Sequence, residues 1–398
     1  MKAVILAAGK GTRMGPLTEN RPKVMLPIVN RPLLEHIILT LKIAGIREFF
    51  IVVGYCKEKI IEYFGNGSGL GIRIEYIEQK SLKGTADAIA VAKDFVNGRF
   101  FVANGDVMAG LSDIKKMIYA NGDVVLAAKK VANPGQYGVI YVKGNKILKI
   151  VEKPEHSESD LANAGIYVFS QAIFDAIENT EPSVRGEYEI TDSIQLLLDS
   201  GYESGYVPLE EWQDIGFPWH LLEANETILR AGEDIQWEVR GEVERFATIN
   251  GNAAVGEGTI IRNGAYIEGP VIIGKNCDIG PNCYIRPATS IGDNVRIGNA
   301  VEVKNSIIMN ETHIGHLSYV GDSIIGEKCN FGAGTKVANL RHDNRNVLVE
   351  LGGKKFDSGR RKLGIIMGDD VHTGINSMFN VGVTVYGGAC IGPGVFVG

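Results

Sequence analysis

Leu6-Ala7-Ala8-Gly9-Lys10-Gly11-Thr12-Arg13-Met14-Gly15, followed by Arg21-Pro22-Lys23, decides how the first half of this chain folds. It continues the apolar run Ala3-Val4-Ile5-Leu6, too short for a membrane span and suited to a buried parallel strand. Without Cβ atoms at Gly9 and Gly11, successive backbone N–H groups can turn inward after that strand and line an anion-binding concavity. The spacing matches neither the dinucleotide fingerprint nor the lysine-ended phosphate loop, so the turn alone fits a plain glycine turn equally well. Lys10, Arg13 and Lys23 tip the reading towards a triphosphate.

The 398 residues suffice for two domains, since single cores rarely grow beyond about 250–300 residues. A formal charge of −6 argues against a nucleic-acid partner, so anionic substrates must be met by local cation clusters. No run of 18 apolar residues and no cleavable leader pattern occurs, which predicts a cytoplasmic protein with no membrane partner. Cys56, Cys277, Cys283, Cys329 and Cys390 are scattered, odd in number and without C-x-x-C spacing; they are read as buried thiols. The 50 glycines crowd into the second half.

Residues 1–230 alternate apolar runs with amphipathic segments, the pattern of an α/β domain with a mostly parallel sheet. Strands are predicted at 2–7, 49–54, 72–77, 99–103, 123–128 and 164–169, and helices at 32–45, 56–64, 84–95, 110–119, 170–178 and 190–200. Ligands of such sheets gather beyond the carboxyl ends of the strands. There stand Gln79, Gly84-Thr85, Asn104-Gly105-Asp106, Gly138, Glu152-Lys153-Pro154, Asn163-Ala164-Gly165 and Trp212-Gln213-Asp214-Ile215-Gly216. Each taken alone also reads as a cap or turn.

As an ordered set they resemble the sugar-1-phosphate nucleotidylyltransferases, over roughly residues 1–230. The resemblance implies a Rossmann-like nucleotidyltransferase domain in which Leu6, Ala8, Gln79, Gly84 and Thr85 hold the nucleoside of UTP or dTTP. Gly9 and Gly11, with Thr12, Arg13 and Lys23, would hold the triphosphate, Arg13 and Lys23 acting catalytically. Glu152, Asn163 and Gly138 would face the sugar, with Lys153 near its phosphate. Asp106 and Asp214 resemble a carboxylate pair for Mg²⁺, which takes one or two carboxylates together with phosphate oxygens. Ala103-Asn104 departs from the family, which commonly carries a larger apolar residue there, and leaves the base preference open. Arg185-Gly186-Glu187-Tyr188-Glu189-Ile190-Thr191-Asp192 is read mainly as a turn and a capped helix start, with a sugar contact by Glu189 as the alternative.

From Val255 a small aliphatic residue recurs every six positions, at 261, 267, 273, 279, 285, 291, 297 and 303. After a slip near 309–314 the period resumes at Ile314 and Val320, then at Met367, Thr373, Phe379, Val385, Ile391 and Val397. Six fits neither a helical turn nor strand alternation; it is the hexapeptide signature of a parallel β-helix, and the family it resembles is left-handed and three-sided. Expected boundaries are therefore 1–232 for the nucleotidyltransferase domain, 233–248 for a linker and 249–398 for the all-β left-handed parallel β-helix.

The resemblance to acyltransferase prisms implies a homotrimer with sites between neighbours, while several nucleotidylyltransferases carry such a tail only to assemble subunits. Here Gly298-Asn299-Ala300-Val301-Glu302-Val303-Lys304, His316-Leu317-Ser318-Tyr319-Val320-Gly321-Asp322 and Asn330-Phe331-Gly332-Ala333-Gly334-Thr335 closely resemble the acetyltransferase half of the bifunctional N-acetylglucosamine-1-phosphate uridylyltransferases. The resemblance implies His316 as the base that deprotonates an amino sugar before it attacks acetyl-CoA, a task that suits an imidazole. Arg286 and Lys304 would bind the sugar 1-phosphate, Tyr319 and Asn330 the sugar, the Ala333 N–H the oxyanion, and Asn339 the acyl donor.

Residues 341–361 form a charged insertion of the kind seen in the archaeal branch, and by offset Lys362 takes the place of a phosphate-binding lysine. The alternative is a solvated surface excursion. The chain stops one residue past Val397, leaving its last coil for a further segment or another subunit to cover. Two other readings share these domains: a monofunctional uridylyl- or thymidylyltransferase with an inert trimeric tail, and a non-catalytic regulatory subunit. Retention of Arg13, Lys23, Asp106 and Asp214 argues against the second, and His316, Tyr319 and Asn330 against the first.

Overall fold

The computed structural model describes residues 1–233 and 235–398, and none of their helices is long and apolar enough to cross a membrane. Two compact units emerge. One comprises Met1–Lys10, Arg21–Met25 and Leu33–Ile215; the other takes Gly11–Asn20, Leu26–Pro32 and Gly216–Gly398. Two short early segments and the helix Pro218–Ala231 go with the second unit.

In the first unit, α1 (Leu33–Ile43), α2 (Lys57–Phe64) and α3 (Thr85–Ala90) alternate with strands β1 (Lys2–Ala7), β2 (Glu48–Val53), β3 (Arg73–Glu78) and β4 (Phe100–Asn104). These four strands pair in parallel in the order β4-β1-β2-β3. β1 is apolar on both faces because it is covered on both, and Ala3, Val4 and Ile5 lose all solvent contact.

The other half of the sheet departs from the parallel expectation. β5 (Val107–Ala109), α4 (Leu111–Tyr119), β6 (Val124–Lys130), β7 (Gly138–Lys143), β8 (Lys146–Glu152) and β9 (Leu161–Phe169) come next in the chain. β9 runs antiparallel to β4, β6 and β7, and β7 and β8 form a hairpin. The two-residue turn Gly144-Asn145 was the available signal for that hairpin, with Gly144 at φ 59°. α5 (Ala172–Glu178), α6 (Ile190–Asp199), β10 (Ser204–Pro208) and β11 (Trp212–Asp214) complete the unit. The helices pack apolar faces on the sheet: Phe174 of α5 stacks on Phe100 at 5.4 Å between ring centres.

The second unit is a three-sheet parallel β-helix, consistent with the left-handed prism expected, with sheets of eight, eight and seven strands. Every hexad aliphatic from Val255 to Val303 is buried, and equivalent positions stack in register, as Val255 on Ile273 and Ile273 on Ile291. The prism begins earlier than expected, because Glu242–Val243 already pairs with Ile260–Ile261. The expected linker therefore mostly dissolves into the first coil, and Asp234 within it lies outside the described residues.

The slip in the repeat is also relocated. Val303 is followed by the inward Ile308 and Val320 by the inward Ile325, so two successive coils each lose one residue, at the same corner. At that corner in the next coil the chain leaves the prism and makes an antiparallel hairpin, Leu348–Leu351 with Lys354–Asp357, which buries Val347, Val349 and Leu351. Cys277, Cys283 and Cys329 are buried as expected, whereas Cys56 is half-buried and Cys390 exposed.

Candidate active sites

In the first unit the parallel strands deliver their carboxyl ends to one edge. Leu6 lies opposite Asn104, and the Gly105 N–H donates to the Leu6 carbonyl at 2.9 Å. The Ala8 carbonyl accepts from the Tyr55 N–H, and a Cβ on Gly54 would approach that oxygen to 2.8 Å. Gly9 has open space around its missing Cβ, and the Lys10 ammonium stands over the Tyr55 ring. Lys23 is buried and donates to Asp106 Oδ2 at 2.7 Å.

Asp106 and Asp214 are brought together by backbone. β11 pairs antiparallel with β5, which sets Asp214 opposite Val107, and the Ile215 N–H donates to the Asp106 carbonyl at 3.0 Å. Among the described residues no group of three or more metal-ligating side chains occurs.

Two residues expected at the nucleoside have structural contacts as well. Buried Gln79 donates to Asp87 Oδ2 at 2.7 Å, and the Thr85 hydroxyl accepts from the Ile190 N–H at 3.0 Å. Thr85 thus satisfies the first turn of α6, whose own N-cap residue Glu189 makes no side-chain cap bond. The capped helix start read from the sequence is real, but its cap comes from a distant residue. Gly84 is required where it stands: at φ 124°, a Cβ would lie 2.4 Å from the Tyr188 carbonyl oxygen.

On the sugar side, Gly138 and Glu152 face each other across the β7–β8 hairpin, and a Cβ on Gly138 would fall 3.0 Å from Glu152 Oε2. Asn163 donates to the Tyr167 hydroxyl at 2.8 Å, and the Lys153 ammonium is 3.5 Å from Glu152. Asn104 lies against Gly165, where a Cβ would come within 2.5 Å of its Nδ2. Arg185 and Thr191 were missed by sequence reasoning. Arg185 reaches both Glu152 (3.4 Å) and Glu189, and Thr191 donates to Glu152 at 3.3 Å. Burial and then the neighbouring Glu152 hold the Glu189 carboxyl above the usual range, against the pull of Arg185.

In the second unit, Gly11 adopts a left-handed φ of 71° and the Arg13 guanidinium lies over the Phe217 ring at 5.3 Å. Met14 and Leu17 are buried and fix the turn that Thr12 opens.

The broken corner of the prism forms an open cavity of about 450 Å³. Arg286, Lys304 and Lys362 line it together, so the offset reading of Lys362 places it with the two cations expected at a sugar phosphate. Arg360 and Arg361 line it too, which sets the insertion apart from a purely solvated excursion. Arg286 also bonds Glu302 at 2.9 Å and stacks over Tyr284.

Asp322, for which the sequence offers no role, is the hub of the corner. It is 2 % exposed and accepts from Lys304 Nζ at 2.9 Å, Asn305 Nδ2 at 2.9 Å and Asn339 Nδ2 at 2.6 Å. Asn339 also donates to the Tyr319 hydroxyl at 3.1 Å. Burial, and then Asp322 and Glu302, push the Tyr319 phenol upward and keep it protonated. His316, Ala333 and Asn330 belong to the neighbouring edge of the prism, with Asn330 paired to His313. The His316 and Asn330 side chains are exposed, and neither bonds to the cavity residues among the described residues.

Comparison with known proteins agrees across the whole chain. A nucleotidyl transferase family model matches residues 2–231, and a GMPPB C-terminal domain model matches residues 267–385. The chain is 44 % identical over 400 residues to the "Bifunctional protein GlmU" of Methanocaldococcus jannaschii, covering 100 % of this chain and 95 % of that relative. It is 42 % identical over 407 residues to a bifunctional sugar-1-phosphate nucleotidylyltransferase/acetyltransferase of Sulfurisphaera tokodaii, covering 100 % and 97 %. Among solved structures, a Bacillus anthracis protein described as a glucose-1-phosphate thymidylyltransferase superposes with a TM-score of 0.53 at 30 % identity, over 60 % of this chain and 97 % of that one. With relatives of this identity along its full length, the chain belongs to the bifunctional sugar-1-phosphate nucleotidylyltransferase/acetyltransferase family.

Proposed function

We propose that the enzyme acetylates glucosamine 1-phosphate from acetyl-CoA and then couples N-acetylglucosamine 1-phosphate to UTP, releasing pyrophosphate and UDP-N-acetylglucosamine. The observation that carries the double reading is the cationic cavity of the prism, because a tail that only assembles subunits has no use for Arg286, Lys304 and Lys362 around one void.

In the nucleotidyl half, the sugar phosphate oxygen forms a bond to the α-phosphorus as the bond to pyrophosphate breaks. Such transfer asks little covalent chemistry of the protein, so positioning and charge carry it. Gly9 and Gly11 offer their N–H groups with Thr12, while Arg13 and Lys23 supply positive charge to the triphosphate. Leu6, Ala8, Gln79, Gly84 and Thr85 frame the nucleoside, and Gly138, Glu152, Asn163 and Lys153 the sugar phosphate. Asp106 and Asp214, adjacent through their backbones, fit Mg²⁺, which prefers one or two carboxylates beside phosphate oxygens. When bound, that ion neutralises charge on the phosphates.

In the acetyl half, His316 takes a proton from the amino group, the nitrogen bonds to the thioester carbon, and the carbon–sulfur bond breaks to release coenzyme A. Tyr319 and Asn330 orient the sugar, Asn339 the acyl donor, and the Ala333 N–H faces the oxyanion. The exposure of His316, beside a Leu317 that is 57 % exposed, supports a homotrimer in which a neighbouring prism completes this edge. Substrates that are phosphorylated or joined to coenzyme A support a cytoplasmic setting.

The test is a panel of four nucleoside triphosphates against several sugar 1-phosphates, with and without acetyl-CoA, using the purified full chain. Turnover of glucosamine 1-phosphate only when acetyl-CoA is present is the expected result. Pyrophosphate release with no acetyl transfer to any amino-sugar phosphate would leave the monofunctional reading instead.

A further inference from the structure

Asp322 is nearly fully buried, yet its carboxylate meets three donors, two from the neighbours Lys304 and Asn305 and one from Asn339 a coil away. A carboxylate only accepts hydrogen bonds, so it dictates how each amide that touches it must face. Asn305 and Asn339 both turn their NH₂ groups to it, which leaves both amide oxygens turned away. Asn305 is 8 % exposed, lines the cavity, and its Oδ1 is buried without a hydrogen-bond partner. A buried acceptor left open beside a void calls for a donor, which a ligand hydroxyl or amine supplies. The second amide of the pair passes the polarity on: Asn339 donates to the Tyr319 oxygen, so the phenol proton must point elsewhere.

Asn305 and Asp322 stand at the two shortened corners and take the left-handed φ seen at many corners of the prism, 44° and 50°, which Asn and Asp tolerate better than most residues other than glycine. Each corner gives up one residue of the hexad, so the chain departs from its repeat where these groups are assembled. Around Lys304 the cavity is mostly cationic: Arg230, Arg286, Arg360, Arg361 and Lys362 face it, with Glu226 as the other acidic group besides Asp322.

We propose that Asp322 is a positioning residue of the acetyl-transfer site, setting the donor and acceptor pattern of Lys304, Asn305, Asn339 and, through Asn339, Tyr319. It makes Lys304 a fixed cation for the phosphate, Asn305 an acceptor for a sugar hydroxyl or amine, and Tyr319 a donor. The inference rests on the acetyltransferase reading of the cavity.

Asp322→Asn tests it, because the change keeps the volume and suits the left-handed backbone while removing the charge and reversing one acceptor. In the full chain, with glucosamine 1-phosphate and acetyl-CoA, KM for the sugar phosphate is expected to rise at least about tenfold and kcat to fall about tenfold. Uridylyl transfer should stay within about twofold. Lys304→Met should raise KM with little change in kcat, and adding Asp322→Asn to it should raise KM by a smaller factor than it does in the parent chain. A residue that merely holds the corner together would lower the active fraction at constant KM, and its losses would add to those of Lys304→Met; either result overturns the proposal. Calorimetric titration of glucosamine 1-phosphate without acetyl-CoA separates the two levels. Binding by the parent chain with no acetyl transfer would sink the acetyltransferase reading, whereas equal binding by the parent and Asp322→Asn would sink the role of Asp322.

Discussion

The two units gather the cations proposed to bind phosphate in opposite ways. In the α/β unit, regularity itself makes the site: parallel strands end at one edge, and the residues after β1 and β4 meet there because the strands are in register, as Leu6 is with Asn104. In the prism, regularity makes only a core. Its hexads stack aliphatics with no place for chemistry, and the cavity opens where two corners fall one residue short and a third releases the 341–361 excursion. A layered sheet carries its site by design of the fold, while a solenoid carries one by interruption of its repeat.

If the two sites are separate devices, single substitutions should silence one and spare the other, which is the largest effect expected. Asp106→Ala removes the partner of Lys23 and half of the carboxylate pair, and uridylyl transfer should fall by about 10²–10³-fold, the loss typical of one electrostatic group in an active site. Acetyl transfer by that variant should be unchanged. His316→Ala should show the mirror image, with acetyl transfer down by about 10²–10⁴-fold, the worth of a general base. Coupled assays for pyrophosphate and for free coenzyme A on the same preparations decide it, and parallel loss of both activities would merge what is here kept apart.

A smaller effect sharpens the contrast from the prism side. One glycine inserted between Asn305 and Ser306 restores the ordinary hexad spacing, which the corner Arg286-Pro287-Ala288 shows the fold accepts. The prism should then fold, because Val303 and Ile308 regain the spacing of every earlier coil. Lys304 and Asn305 would lose their alignment with Asp322, and acetyl transfer should drop by about 10²-fold, as for a misplacement of about 1 Å. Retained acetyl transfer would mean that the shortened corners are incidental.

The legibility of the two units followed the same line. β1, the glycine turn and the hexads could be read from sequence because each is periodic or punctuated, and the burial of Val255 to Val303 follows the predicted phase. The β7–β8 hairpin was not read, although Gly144-Asn145 marks it, because β7 and β8 carry a weak polar alternation on an edge of the sheet. The slip in the repeat was placed near 309–314 when it belongs at 305–306 and 322–323, since the doublets Ile307-Ile308 and Ile324-Ile325 let the phase be counted from either residue. Asp322 was beyond reach for a different reason. Its importance lies in donors 17 or 18 residues away, and only the length of a coil brings Lys304, Asn305 and Asn339 to it.

The smallest effect concerns the acidic side of the sugar site in the first unit. Burial first, and then the negative charge of Glu152, raise the folded pKa of Glu189, with Arg185 opposing them. For an acid with a raised folded value, the native state holds the proton more tightly than the unfolded chain. The stability this brings is complete below the unfolded value and lost as pH rises through the folded one, so at neutral pH the ionised carboxylate is a net cost. Glu189→Gln keeps an acceptor for Arg185 and removes the charge, so Tm at pH 7 should rise by about 2 °C, with the gain shrinking as pH falls towards the carboxylate range. A carboxylate that costs stability is retained for use, so the same variant should show a higher KM for the sugar phosphate in uridylyl transfer. A more stable enzyme with an unaltered KM would instead make Glu189 a partner of Arg185 alone, and the sugar site would then be drawn around Gly138, Glu152 and Asn163 without it.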